Sequence, residues 1–82
     1  MSDKGYNGWK NRATWNVALW IGNREDIYLT MIDSFKNQDW DQSPQGVKRW
    51  ADMIFGAETP DGDSLKEVDW DEILNLVKES IA

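Results

Sequence analysis

Residues 69–81, DWDEILNLVKESI, carry the clearest helical pattern in the chain. Asp69 and Glu72 have the spacing of a capping box, in which the first side chain accepts a backbone N–H of the first helical turn. Ser64 begins a similar box just upstream and predicts one preceding turn. The apolar residues that follow recur at the helical period, and their stripe consists of Trp70, Ile73, Leu74, Val77 and Ile81. The pattern predicts an amphipathic helix over about 69–80, which can bury its stripe only against other elements.

A second helix is predicted over about 44–55. Ser43 followed by Pro44 places a capping hydroxyl before a proline at the first helical position, which is a specific start signal. Gly56 offers a stop, because glycine accepts the left-handed conformation that often ends helices. Gly46 is expected to cost about 1 kcal/mol relative to alanine in this helix, so its first turn is predicted to be loose.

Two more helices are predicted upstream, over about 12–21 and 24–37. The first is apolar on most sides, which is typical of a buried helix. Gly22 and Asn23 offer it a left-handed stop, and Asn23 can also cap the second helix. Either Asn11 or Thr14 can cap the first helix, and the sequence does not decide between them.

These segments predict an all-α protein, a compact small bundle of about four short helices. With 82 residues the chain has room for one domain, over 1–82. Residues 1–10 are expected to form an ordered N-terminal aromatic arm, because Tyr6 and Trp9 are too apolar to be favourable in a free tail.

The chain contains no cysteine and no histidine. Thiolate metal sites, Cys nucleophiles and His-based acid–base catalysis are therefore excluded. A calcium loop starting at Asp61 would have Lys66 where the fold of such a loop requires glycine. We therefore predict a non-enzymatic protein with no cofactor and no metal. The absence of a targeting segment and of a membrane-spanning apolar run predicts a cytoplasmic location.

The net charge of −6 is spread unevenly. Residues 1–37 hold five basic and four acidic residues, whereas residues 38–82 hold four basic and eleven acidic residues. Such an acidic half repels DNA and attracts basic proteins, although it can also serve only for solubility. The residues predicted to bind a basic partner protein are Trp40, Glu58, Asp61, Asp63, Glu67, Asp69 and Asp71.

Six tryptophans in 82 residues are far more than usual. Four lie on apolar faces of predicted helices and are expected in the core: Trp15, Trp20, Trp50 and Trp70. The other two, Trp9 and Trp40, fall in the arm and in a loop. They are the better candidates for a binding surface, because an exposed tryptophan at an interface often dominates its binding energy.

Cations and aromatic residues also interleave near the N-terminus. Their pattern is similar to a surface that binds single-stranded nucleic acid, with bases stacked on rings and phosphates on cations. The acidic half opposes this interpretation, and contacts between cations and neighbouring rings explain the pattern more simply. The residues of this alternative surface are Lys4, Tyr6, Trp9, Lys10, Arg12 and Arg24. A second alternative is a structural module that self-associates through exposed tryptophans.

Residues 6–23, YNGWKNRATWNVALWIGN, resemble the opening of a family of short, largely uncharacterised proteins of bacteriophages, plasmids and prokaryotic genomes. The matching residues are Tyr6, Asn7, Gly8, Trp9, Asn11, Thr14, Trp15, Asn16, Val17, Leu19 and Trp20. A second resemblance lies near the C-terminus, at Asp69, Trp70, Glu72 and Ile73. The chain departs from the family pattern at Arg12 and Ala13, where an aromatic and an acidic residue are expected.

The resemblance implies a small protein of phage or mobile-element type, and it carries no settled activity. Together with the charge pattern, it suggests an inhibitor of a basic, nucleic-acid-handling defence protein of the host, as in anti-CRISPR or antirestriction proteins that mimic DNA. Both matching segments carry tryptophan, and we therefore expect Trp9, Trp15 and Trp20 to pack with Trp70 and join the two ends of the chain.

Overall fold

The computed structural model describes residues 8–37 and 40–82 of the chain. Within these residues the α-helices are α1, Arg12–Asn23; α2, Glu25–Lys36; α3, Pro44–Phe55; and α4, Trp70–Ile81. A 3₁₀ turn, Leu65–Glu67, precedes α4, and no β-strand forms in the described segments. The predicted all-α small bundle is confirmed. None of the described helices has both the length and the apolar character needed to cross a bilayer.

Helix α4 is the centre of the bundle, because it packs against each of the other three helices. Its capping residue Asp69 accepts the backbone N–H groups of Asp71 and Glu72, as the capping pattern predicts. Ile73 and Val77 are fully buried on the inner face of α4. The other fully or almost fully buried apolar side chains come from all three remaining helices and the 3₁₀ turn: Val17, Ile21, Met31, Phe35, Val47, Trp50, Ala51 and Leu65.

The connection between α1 and α2 differs from the prediction. Gly22 is helical, and α1 continues through Asn23 instead of stopping there in a left-handed turn. Arg24 alone separates the helices in an extended conformation, with φ −106°, and its N–H donates to the carbonyl of Trp20 at 3.2 Å. A single extended residue thus ends one helix and precedes the next, so neither the left-handed stop nor the Asn23 cap is needed. Arg24 makes no capping side-chain bond to α2.

The start and the end of α3 are as predicted. The Ser43 hydroxyl accepts the Gly46 N–H at 3.0 Å, and Gly56 ends the helix with φ +85°. Gly46 itself has a different role from the one expected. It is buried, and a Cβ built on it would meet the backbone carbonyl of Asp41, with the carbonyl carbon at 2.8 Å. Glycine is required here by a close approach of two backbone segments, so the predicted loose turn is wrong.

The tryptophans divide differently from the prediction. Only Trp50 of the four expected core tryptophans is fully buried, with its ring edge-on to Phe35 at 5.8 Å between centroids. Trp15, Trp20 and Trp70 are half-buried. The two predicted surface residues are half-buried as well and pack against the core; they are Trp9 and Trp40.

Candidate protein-binding surface

The N-terminal ends of α1 and α4 are joined by hydrogen bonds. Asn11 caps α1 by accepting the backbone N–H of Thr14 at 2.9 Å, and the Thr14 hydroxyl donates to the same Asn11 oxygen at 2.7 Å. That hydroxyl also accepts the backbone N–H of Asp69, the capping residue of α4, at 2.8 Å. The Asn11 amide donates to the carbonyl of Glu67 at 2.8 Å. Because Thr14 is fully buried, this chain of hydrogen bonds holds the acidic segment against α1.

The arm joins the same junction through Lys10. Its backbone N–H donates to the Glu72 carboxylate at 2.8 Å. In a complete capping box Glu72 would accept the N–H of Asp69, but that N–H is bonded to Thr14. The box is therefore only half formed, and hydrogen bonds of Lys10, Asn11 and Thr14 join the two ends of the chain beside the shared apolar core. The packing of Trp9, Trp15 and Trp20 with Trp70 stays a prediction.

The acidic surface and the alternative nucleic-acid surface lie against each other. Arg12 Nε is 3.1 Å from a carboxylate oxygen of Asp63, and Lys10 Nζ is 3.9 Å from one of Asp69. Exposed ion pairs of this kind add little stability, but each pair cancels most of the field of its members. Asp63 and Asp69 are therefore poorly placed to attract a basic partner, and Lys10 and Arg12 are poorly placed to attract a phosphate.

Arg24, a further cation of the alternative surface, also has an acidic partner. It donates to Asp26 through Nε at 3.2 Å and through a terminal nitrogen at 3.1 Å, and this hydrogen bond lowers the pKa of Asp26 below its usual range. Its guanidinium carbon lies 5.9 Å from the centre of the Trp20 ring. Lys4 and Tyr6 lie outside the described residues. The described cations of this surface thus all face carboxylates.

Asp61 differs from its acidic neighbours because its hydrogen-bond donors carry no charge; the nearby Arg12 guanidinium contributes only a smaller lowering of its pKa. One carboxylate oxygen, Oδ2, accepts the Asn16 side-chain amide at 2.8 Å and the Trp20 indole N–H at 3.1 Å. These two hydrogen bonds, the Asn16 bond first, lower the pKa of Asp61 below its ordinary value of 3.8. Neutral donors orient a carboxylate without cancelling its charge. Asp61 is thus a fixed, ionised and exposed negative charge.

A rigid turn holds Asp61 in this position. The carbonyl of Thr59 accepts the Gly62 N–H at 2.8 Å, and the buried Thr59 hydroxyl accepts the Asp63 N–H at 3.1 Å. The backbone N–H of Thr59 donates to the carbonyl of Asp63 at 2.8 Å. Gly62 has φ +92°, as expected for the glycine of this turn. The turn closes on itself and projects Asp61 towards α1.

A cleft of about 240 Å³ lies beside Asp61, lined by Leu19, Trp20, Asn23, Arg24 and Asp61. Leu19 and Trp20 supply apolar surface, and Asp61 supplies the carboxylate. The long stems of lysine and arginine cover apolar surface while their heads stay charged. Arg24 also lines the cleft and lies over the Trp20 ring, but its charge is paired with Asp26. The cleft can therefore take a basic side chain with its head on Asp61 and its stem along Leu19 and the free edge of Trp20.

The remaining residues of the predicted acidic surface differ in exposure. Glu58, Glu67 and Asp71 are exposed, and none has a cationic partner in the part of the chain that the structure describes. Trp40 offers only part of its ring, because the rest packs against the core. Among residues 8–37 and 40–82, no three acidic side chains are grouped to hold a metal ion.

Asn16 is the site residue that sequence reasoning missed. It is 1% exposed and lies in the middle of α1. A polar amide inside a helix that is otherwise apolar on most sides was the available signal, since a buried polar group needs a partner. The identity of that partner, 45 residues away, could not be found from local pattern.

Protonation of Asp61 is expected to shift the Trp20 indole N–H resonance with a midpoint below pH 3.8, because the folded-state pKa is lowered. By the same linkage, Asp61 stabilises the fold above the unfolded-state pKa, and that contribution is lost as the pH falls through the folded-state pKa. NMR of the indole N–H groups measures the midpoint. Asp61→Asn should abolish the transition, whereas Asp26→Asn should leave it in place. A midpoint at or above pH 3.8 would contradict the assignment.

The fold and the site define a small all-α protein with a carboxylate-bearing cleft on its surface. The chain belongs to the family of unknown function DUF7249, whose model matches residues 2–81. No curated protein and no solved structure matches the chain significantly.

Proposed function

We propose that the protein is a non-enzymatic binding module that docks on a basic partner protein through Asp61 and the exposed carboxylates around it. The observation that carries the proposal is the pair of neutral donors on Asp61, Asn16 and Trp20. They hold the carboxylate in one place without cancelling its charge. A fixed charge has little conformational entropy to lose on binding, which favours specific association.

The partner we propose is a nucleic-acid-handling defence protein of a host cell, bound in the cytoplasm. A surface that binds DNA phosphates is basic, and carboxylates can occupy it instead. The resemblance of residues 6–23 to phage and plasmid proteins supports a mobile-element origin. An anti-CRISPR or antirestriction role by DNA mimicry is the corresponding biological setting.

Asp61→Asn is expected to reduce capture of basic proteins from a bacterial lysate several-fold, because it removes the fixed charge but keeps an acceptor for Trp20. Immobilised wild type and variant are compared by mass spectrometry of the retained proteins, at low and high salt and with added duplex DNA as competitor.

The matched control is Asp52→Asn, which changes the net charge equally on α3, where Asp52 pairs with Lys48 at 2.9 Å. An equal loss in both variants would show that only net charge matters. Unchanged capture by Asp61→Asn would refute the proposal, as would retained proteins that DNA fails to displace.

The two alternative functions have less support. Binding of single-stranded nucleic acid would have to break the ion pairs of Lys10, Arg12 and Arg24 with their carboxylates. Self-association through exposed tryptophans would have to use rings that are at least half-buried. An electrophoretic shift assay with short single strands and sedimentation at several concentrations separate these functions from the one proposed.

A further inference from the structure

The cleft beside Asp61 already contains an arginine side chain of this chain, and that side chain restricts which cation can enter. The guanidinium carbon of Arg24 lies 5.9 Å from the centre of the Trp20 ring, and both residues line the cleft. Arg24 is held in place by Asp26, to which it donates through two nitrogens at 3.2 and 3.1 Å. The position at which a partner's guanidinium would stack on this ring is therefore already taken.

The two carboxylate oxygens of Asp61 differ in how much they can still accept. Oδ2 accepts the Asn16 amide at 2.8 Å and the Trp20 indole N–H at 3.1 Å. A carboxylate oxygen offers about two acceptor positions, so Oδ2 is fully used. Among residues 8–37 and 40–82, no donor is bonded to Oδ1. Asp61 therefore offers a partner one free oxygen instead of two.

The charges near Asp61 leave its carboxylate in excess. The guanidinium groups of Arg12 and Arg24 are close to the cleft, but each has a carboxylate of its own. Arg12 Nε is 3.1 Å from Asp63, and a terminal nitrogen of Arg24 is 3.1 Å from Asp26. Asp61 is the carboxylate that remains after both pairs are formed, so a cation of a partner protein completes the charge balance of the cleft.

We propose that the Asp61 cleft accepts a lysine side chain of the basic partner in preference to an arginine side chain, an inference that rests on the proposed function. Arginine gains most from two parallel hydrogen bonds to both carboxylate oxygens and from stacking on an aromatic face. Oδ2 of Asp61 is filled and Arg24 covers the Trp20 ring, so the cleft offers neither. Lysine carries a compact charge on a flexible stem, and its ammonium group can use a single oxygen. The stem fits along Leu19 and the free edge of Trp20.

The probes are N-acetyl-lysine methylamide and N-acetyl-arginine methylamide, each titrated into the ¹⁵N-labelled full chain. The resonances followed are the Trp20 indole N–H and the Asn16 side-chain amide, because both groups donate to Asp61. We expect saturable shifts with both probes and tighter binding of the lysine probe. The same lysine probe acetylated on its side-chain nitrogen carries no charge and should leave these resonances in place. Asp61→Asn should abolish the response, and Asp52→Asn should preserve it.

The role of Arg24 is tested by a double variant, Arg24→Ala with Asp26→Asn, which keeps the net charge and uncovers the Trp20 ring. The affinity for the arginine probe relative to the lysine probe should rise about two- to fivefold, the order of effect of one exposed contact between a cation and a ring. The backbone bond from residue 24 to the Trp20 carbonyl is unaffected by this change. The matched control, Arg12→Ala with Asp63→Asn, removes the other nearby ion pair and leaves Arg24 in place, so the ratio should not change.

The outcomes separate this preference from the proposed function. If the arginine probe binds the wild type at least as tightly as the lysine probe, if neither probe shifts the resonances, or if uncovering Trp20 leaves the ratio unchanged, the lysine preference is wrong. That result leaves the proposed function standing wherever lysate capture still depends on Asp61. If lysine is preferred and the preference depends on Arg24 while Asp61→Asn captures the same proteins as the wild type, the lysine cleft stands and the proposed function falls.

Discussion

Trp50→Ala is expected to lower the free energy of unfolding by about 3–5 kcal/mol, the range for truncating a buried aromatic side chain. Trp50 is fully buried and is the largest of the fully buried side chains. Its removal leaves a cavity beside Phe35, whose ring it meets edge-on. A domain of this size has small total stability, so the loss should be visible as a large fall in the urea midpoint.

The control for this variant is Met53→Ala on the same helix, where the residue is 58% exposed. It should change the free energy of unfolding by about 0.5 kcal/mol or less. Trp50→Phe keeps a ring and removes an indole N–H that has no partner among residues 8–37 and 40–82, so its cost should be well below that of alanine. Equal losses for Trp50→Ala and Met53→Ala would contradict the position of Trp50 in the core.

Sequence predicted the parts of the fold that depend on local chemistry. The caps at Ser43 and Asp69 and the stop at Gly56 follow from residues within one helical turn, and all three form as predicted. The α1–α2 connection was mispredicted, because a glycine next to an asparagine is compatible both with a left-handed stop and with a continued helix. Packing against the rest of the bundle decides between the two, and it cannot be read from the local sequence.

The candidate site was predictable in composition but not in arrangement. Asp61 and Asp63 are neighbours in one acidic turn and are indistinguishable from sequence. Their difference comes from residues of α1, because Asp61 meets Asn16 and Trp20 whereas Asp63 meets Arg12. These contacts span more than forty residues, and they decide which carboxylate is held by neutral donors and which by an ion pair.

The half-buried tryptophans are likewise explained by tertiary contacts that the local sequence does not reveal. A tryptophan on an apolar helical face is expected in the core. The apolar face of a short helix, however, is wider than the area that contacts the rest of the bundle. Trp20 therefore keeps one edge at the surface, where its N–H reaches Asp61. The exposed edge that leaves Trp20 only half-buried also carries the N–H that places it in the candidate site.

Gly46→Ala is expected to destabilise the protein by about 1–3 kcal/mol, the usual cost of forcing extra volume into a packed site. Helix propensity alone predicts the opposite sign, a gain of about 1 kcal/mol. The clash should dominate because the new Cβ would meet the backbone of Asp41, which is less free to move than a side chain. Urea unfolding of the variant measures the sign directly.

Gly22→Ala is the matched control, because Gly22 is also helical and a Cβ there would have no neighbour within 4 Å. It should raise the free energy of unfolding by about 0.5–1 kcal/mol, since alanine loses less backbone entropy on folding. Opposite signs for the two glycines would establish that the close approach of Asp41 to α3, and not the flexibility of glycine, explains Gly46. A gain in both variants would show that the loop preceding α3 can move away from the helix.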